Sequence, residues 1–126
     1  SRNVFWNLEH ADKAYEEAYR VLKKDGILIL EDGNYYRRFF SDKYQKAYDE
    51  FQRGHEKEEQ GCHARHNKEN VDFSIMDEIA KKLPMSQVDR PAWDFNKLVE
   101  TGFHKIQVEI AGSPLPMSFC IVAQKG

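Results

Sequence analysis

Apolar positions along the chain follow two different periods. Ala11, Ala14, Tyr15, Ala18, Val21 and Leu22 recur at the spacing of a helix buried along one stripe. Asp12 in its first turn and Lys23-Lys24 in its last suit the helix dipole, and Gly26 suits a left-handed stop. Ile27-Leu28-Ile29-Leu30 follows at once with no polar position. A strand apolar on both sides belongs inside a sheet covered by helices on both faces, so this junction predicts a helix-covered, largely parallel sheet. Further along, Ile106, Val108 and Ile110 alternate with Gln107 and Glu109, the pattern of an edge strand with one wet face. Phe119-Cys120-Ile121-Val122-Ala123 is apolar throughout and belongs between neighbours. The link from Gly112 to Pro116 is short enough to join these two strands antiparallel, which predicts the sheet order first strand, last strand, middle strand.

Between these segments, roughly from Tyr35 to Arg90, the pattern turns helical and more polar. Tyr44, Ala47, Tyr48 and Phe51 mark one amphipathic helix, and the stretch from His55 to Asn70 is polar. Ser74 and Asp77 then make a capping-box-like start to another helix, with Ile75, Met76, Ile79, Ala80 and Leu83 as a packed face and Pro84 as its end. An insertion of this size is too long for a simple connection and usually shapes a lid or a substrate pocket; extra packing or a dimer face is the plainer alternative. Arg90-Pro91-Ala92-Trp93 opens a final helix with Leu98 and Val99 inward and Gly102 at its close. The chain therefore reads as one domain over residues 1–126, with 35–90 a helical insertion or cap.

Composition narrows the function classes. With 19 basic and 21 acidic residues and a net charge of -2, the chain has no electrostatic footprint for nucleic acid. No apolar run approaches the roughly 20 residues that cross a bilayer, and no signal pattern leads the chain, so a soluble cytoplasmic protein without membrane partners is expected. Two cysteines, Cys62 and Cys120, make a disulfide framework improbable. The chain opens at Ser1 and runs directly into Arg2-Asn3-Val4-Phe5-Trp6, which reads as a piece of something longer.

These segments together resemble the C-terminal half of class I S-adenosylmethionine-dependent methyltransferases, over most of the chain. The resemblance is carried by the helix end Arg20-Val21-Leu22-Lys23-Lys24-Asp25-Gly26, the strand Ile27 to Leu30, the acidic turn Glu31-Asp32-Gly33-Asn34, the Gly102-Phe103 lead and the terminal strand from Phe119 to Gln124. The small-molecule (type 11-like) branch is the most similar, through Ser1-Arg2-Asn3 with Trp6, Asp32-Gly33-Asn34-Tyr35-Tyr36 and Arg90-Pro91-Ala92-Trp93-Asp94. The implied fold is α/β, a partial Rossmann-like methyltransferase sheet of C-terminal strands, the last one antiparallel, with a helical insertion.

The resemblance also implies site residues. Ser1, Arg2 and Asn3 would lie in the loop after the fourth strand, on the cofactor side, and Trp6, Asn34 and Tyr35, with Asp32, would line the acceptor pocket. Methyl transfer from a sulfonium depends chiefly on in-line positioning, and the acceptor proton can pass to a nearby carboxylate or imidazole, for which Asp32 and His10 are the catalytic candidates. A turn residue and a first-turn residue are the plain structural readings of the same two side chains. The family's Gly-rich turn and its acidic ribose ligand belong to the N-terminal half, and the seven glycines here include no Gly-x-Gly. S-adenosylmethionine is thus expected in an intact parent protein and not tightly on this chain.

Two other clusters carry chemistry in principle. Cys62, His63 and His66, with His55 upstream, are possible zinc ligands but lack four-ligand spacing and sit in a polar loop, so no metal is expected. The aromatic run Tyr35, Tyr36, Phe39, Phe40, Tyr44 and Tyr48 could stack on a planar acceptor, or simply pack at helical spacing. The expected function is a C-terminal methyltransferase fragment for a small-molecule acceptor, inactive alone; the alternative is a noncatalytic methyltransferase-like module. On either reading the first strand lacks a neighbour, so the missing N-terminal half or a second copy is the expected partner, with self-association by sharing a strand or helix.

Overall fold

A computed structural model describes residues 1–56, 74–112 and 115–126. The expectation placed on Cys62, His63 and His66 lies outside the described residues, as does the side chain of His55. The elements are α1 (Ala11–Val21), β1 (Ile27–Gly33), α2 (Asp42–Glu56), α3 (Ser74–Lys82), α4 (Ala92–Thr101), β2 (Phe103–Ala111) and β3 (Ser118–Lys125), with short 3-10 turns at Phe5–Asn7, Arg37–Phe39 and Pro84–Ser86.

The sheet order is β1-β3-β2, as the apolar patterns imply, because β3, apolar from Phe119 to Ala123, takes neighbours on both sides. Both pairings are antiparallel, with Leu30 opposite Ile121 and Val108 opposite the same residue. The expected largely parallel sheet is therefore not what forms among these three strands. β1 and β2 do run in the same direction, but they never touch; β3 enters between them in reverse. Among the described residues the one parallel pairing is a bridge of Arg2 to Glu31, on the edge of β1 away from β3. There the Ser1 ammonium donates to the Ile29 carbonyl at 2.8 Å, and the Glu31 and Asn3 amides donate to the Ser1 and Glu31 carbonyls at 2.9 Å.

Only one face of the sheet is covered by described helices. Tyr15 and Ala11 of α1 and Leu98 of α4 pack with Leu30, Phe119, Ile121 and Ala123, and Phe5, Met85 and Phe103 complete this core. Burial along β1 therefore alternates: Leu30 is sealed, whereas Ile27 and Ile29 are 56% and 54% exposed. The expectation of cover on both faces is corrected for the described residues. All four residues from Ile27 to Leu30 are apolar, but the pleat turns only alternate side chains, Leu28 and Leu30, to the covered face.

Several local expectations change too. The left-handed residue after α1 is Asp25, at φ 62, and not Gly26. Gly26 instead closes a turn onto the Lys23 carbonyl at 2.8 Å, and a Cβ there would meet that same oxygen. In α3 only Ala80 is buried; Ile75, Met76 and Ile79 stay exposed, against the packed face expected. Leu98 is inward as expected, but Val99 and Ile110 are exposed. Gly102, at φ 113, caps α4 by donating to the Leu98 and Val99 carbonyls, a conformation open to glycine at little cost. Among the described residues no helix is long and apolar enough to cross a membrane.

Candidate functional site

The carboxyl end of β1 is where the polar sequence Glu31-Asp32-Gly33-Asn34 meets the start of the chain and the start of α4. On the core face, Asp32 lies opposite Phe119 and is fully buried. Its Oδ2 accepts from Arg90 Nη1 at 2.8 Å, while Arg90 binds Asp94 through two further bonds, Nε to Oδ2 at 2.9 Å and Nη2 to Oδ1 at 2.8 Å. The Tyr15 hydroxyl donates to Asp94 Oδ1 at 2.6 Å, so α1, β1 and α4 meet in one buried ionic cluster. Arg90 and Asp94 are four residues apart at the start of α4, which aligns the fork with the carboxylate.

The electrostatics of this cluster follow from one cation between two carboxylates. Burial works against the Arg90 charge, but the bonds to Asp94 and Asp32 outweigh it and hold its pKa above the ordinary value. Burial raises the Asp32 pKa above its ordinary value, and this outweighs the lowering by Arg90 and by the Gly33 and Trp6 backbone amides. Asp32 Oδ1 accepts no well-aligned hydrogen bond. Burial and the Asp94 charge likewise push the Tyr15 hydroxyl far up, so Tyr15 stays a neutral donor. Asn34 continues the buried polar layer, its Nδ2 donating to the Pro116 carbonyl at 2.7 Å and the Arg90 carbonyl at 2.8 Å, with its own Oδ1 unpartnered.

On the other side of the same turn the residues stand open. Gly33 is required because a Cβ would strike the Tyr35 ring and the Met117 carbonyl. Tyr35 donates its hydroxyl to Asn3 Oδ1, and Trp6 meets Tyr35 edge-on at 6.0 Å between ring centroids while its Nε1 donates to the Asn3 carbonyl. Burial and the Asp32 charge push the Tyr35 hydroxyl up, so it too is a donor at neutral pH. The Asn3–Tyr35 contact borders two cavities. One, of about 350 Å³, lies at the carboxyl end of the open sheet face beside Arg2, Glu31, Glu109, Ser118 and Cys120. The other, of about 610 Å³, lies among Trp6, Tyr35, Tyr36, Tyr48, Arg38 and Asp77.

The sequence-derived candidates thus separate into groups. Asn3, Trp6 and Tyr35 come together in one cluster. Asp32 and Asn34 lie behind it, sealed in the core face, and Asp32 is committed to Arg90. His10 stands exposed at the N-cap of α1, makes no capping bond there, and no hydrogen bond links it to Asp32. Ser1 uses its backbone on β1, Arg2 pairs with Glu31 at 3.2 Å, and Asn3 is held by Tyr35. Of these three, Arg2 and Asn3 line the smaller cavity and Ser1 does not, and none carries a carboxylate for ribose hydroxyls, so this donor set does not fit S-adenosylmethionine by itself. No group of three His, Cys, Asp or Glu side chains is gathered as for a metal among the described residues.

Two features escaped the reading of the chain. Arg90 and Asp94 stood together in the segment that opens α4, but nothing in it marked them as an ion pair, and Arg90's second partner, Asp32, lies 58 positions away in sequence. The aromatic run does not form one helix: Tyr35 to Phe40 belong to the turn after β1, while Tyr44 and Tyr48 belong to α2, and only Tyr44 is buried. Compared with family models and with curated proteins, the chain matches none.

Proposed function

We propose that this chain is the acceptor-side, C-terminal part of a class I S-adenosylmethionine-dependent methyltransferase acting on a small molecule, and that it does not transfer methyl groups alone. The observation that carries this reading is the set of strand directions. Residues 1–3 bridge to β1 in parallel, β1 and β2 share a direction, and β3 alone is reversed between them. That is the order the resemblance implies for a loop after the fourth strand followed by the last three strands. The polar turn after β1 then stands beside residues 1–6, as an acceptor site at the carboxyl ends of strands requires. Trp6 and Tyr35 supply its walls, and Asp32 and Asn34 hold the turn from behind.

Two measurements test this. Titrating S-adenosylmethionine into this chain is expected to give no measurable heat, since one wall of a site cannot hold a nucleoside. The longest natural polypeptide containing the chain is expected to bind it and to pass labelled methyl groups to a small molecule. Absence of cofactor binding by that longer polypeptide overturns the enzymatic reading. The second reading, a noncatalytic module that meets itself or a partner through the sheet, is favoured by the exposed Ile27 and Ile29.

A further inference from the structure

We infer that the groove between Trp6, Tyr36, Tyr48 and Arg38 binds a planar aromatic ring carrying a carboxylate. The inference rests on the proposed function only in calling that ligand the methyl acceptor; the binding site itself is argued from the groove. At about 610 Å³ the groove falls within the range of small-ligand sites. Trp6 and Tyr36 stand 5.4 Å apart between ring centroids at an interplanar angle of 40°, and Tyr35 closes one end. These walls offer ring faces and edges to a flat ligand and little hydrogen-bonding selectivity.

The selectivity lies in Arg38. Its guanidinium sits 4.0 Å from the Tyr48 ring centroid and 4.5 Å from that of Phe39, and it donates to the Tyr35 carbonyl at 3.0 Å. Its side chain is only 13% exposed, so the cation is fixed by rings and a carbonyl before any anion arrives. Among the described residues its one carboxylate contact is Asp77, at 3.4 Å, the long limit of a hydrogen bond. A ligand carboxylate can take that place in a shorter, forked geometry while the part-exposed Asp77 turns to water. Lys81, 5.0 Å from the Phe39 ring centroid, lies outside the groove and is paired with Glu78 at 3.2 Å, so Arg38 is the cation of the groove's lining. A ligand carrying a cation would face the Arg38 charge in the groove, and a neutral ring would gain stacking without the ion pair.

Three ligands of one shape separate these cases: phenylacetate, benzyl alcohol and benzylamine, titrated calorimetrically into the full chain at neutral pH without S-adenosylmethionine. Phenylacetate is expected to bind at least about tenfold tighter than the alcohol, with the amine weakest. Arg38→Gln should erase the advantage of the acid over the alcohol, and Arg38→Lys should keep part of it. Circular dichroism melting of each variant separates lost binding from lost fold, and Trp6→Phe, which leaves Arg38 in place, should weaken all three ligands together. Equal or tighter binding of benzylamine, an undiminished preference in Arg38→Gln, or no binding of phenylacetate at millimolar concentration overturns the inference. Failure of methyl transfer by a longer polypeptide, with phenylacetate still bound here, would count against the methyltransferase reading and leave the site standing.

Discussion

Asp32 and Glu31 are neighbours in β1 with opposite surroundings. Asp32 faces the core, inside a cluster in which Arg90, Asp94 and Tyr15 join three elements through bonds of 2.6 to 2.9 Å. Glu31 faces the open side with Ile27 and Ile29, and among the described residues it pairs with the exposed Arg2. The two faces of one strand thus carry their polar groups under different rules. On the closed face each charge must be answered by a partner, because water cannot reach it. On the open face charges cost little, and the exposed apolar side chains are what call for an explanation.

The largest expected effect breaks the closed face. Arg90→Met removes the single cation between two buried carboxylates, and breaking such a pair costs about 3–5 kcal/mol. A domain of this size has roughly 5–15 kcal/mol in total, so the urea midpoint should fall steeply, at the edge of folding. Replacing Asp32 and Asp94 by Leu and Tyr15 by Phe in the same chain should recover much of the loss, since the Tyr15 hydroxyl is then not stranded and apolar groups of similar volume need no partner. A loss below about 1 kcal/mol for Arg90→Met alone would mean that the cluster is not as dry as its burial implies.

A smaller effect sharpens the account of the charge balance. Asp32→Asn leaves Arg90 its forked pair with Asp94, and is expected to cost no more than about 1.5 kcal/mol. Its pH dependence carries the sign. Because burial raises the folded-state pKa of Asp32 above the ordinary 3.8, the folded chain holds that proton more readily than the unfolded one. The stability that Asp32 contributes is then fully present below the ordinary value and is lost as pH rises through the raised one. The difference between wild type and Asp32→Asn, followed by denaturation across that interval, should shrink with rising pH. A difference that grows instead would show that Arg90 wins over burial.

Much of this contrast could be read from the chain, and the missing part has a physical reason. The order of the strands was legible because the centre of β3, Phe119 to Ala123, has no polar position and β2 alternates, so neighbours on both sides were needed for one and not for the other. The close of α4 at Gly102 was legible because a left-handed residue there favours glycine. The antiparallel pairing of β2 with β3 was legible in the short link between them, but the direction of β1 against its neighbour was not, since Ile27 to Leu30 is equally apolar whichever way that neighbour runs. Asp32 was singled out, but as a proton acceptor in a turn; its bond to Arg90 spans 58 residues and no local period reports it. The groove was half legible: its aromatic residues stood out as a group, but Trp6 and Asp77 reach it from distant parts of the sequence.

The least disruptive change tests the open face. Ile29 lies opposite Val122 with its side chain more than half exposed, so Ile29→Lys removes little buried area and should change stability by no more than about 0.5 kcal/mol. A lysine at that position still fits a strand and places a charge at the centre of the exposed apolar row that begins with Ile27. If copies of the chain meet through this face, as the second functional reading holds, the apparent mass by light scattering should rise with concentration for the wild type and stay at 14.8 kDa for the variant. Unchanged self-association in a variant of unchanged stability would move the contact elsewhere, to the exposed Ile75 and Ile79 of α3 or to Val21 of α1. A wild type that remains monomeric at high concentration would remove self-association from the account and leave the open face to a different polypeptide.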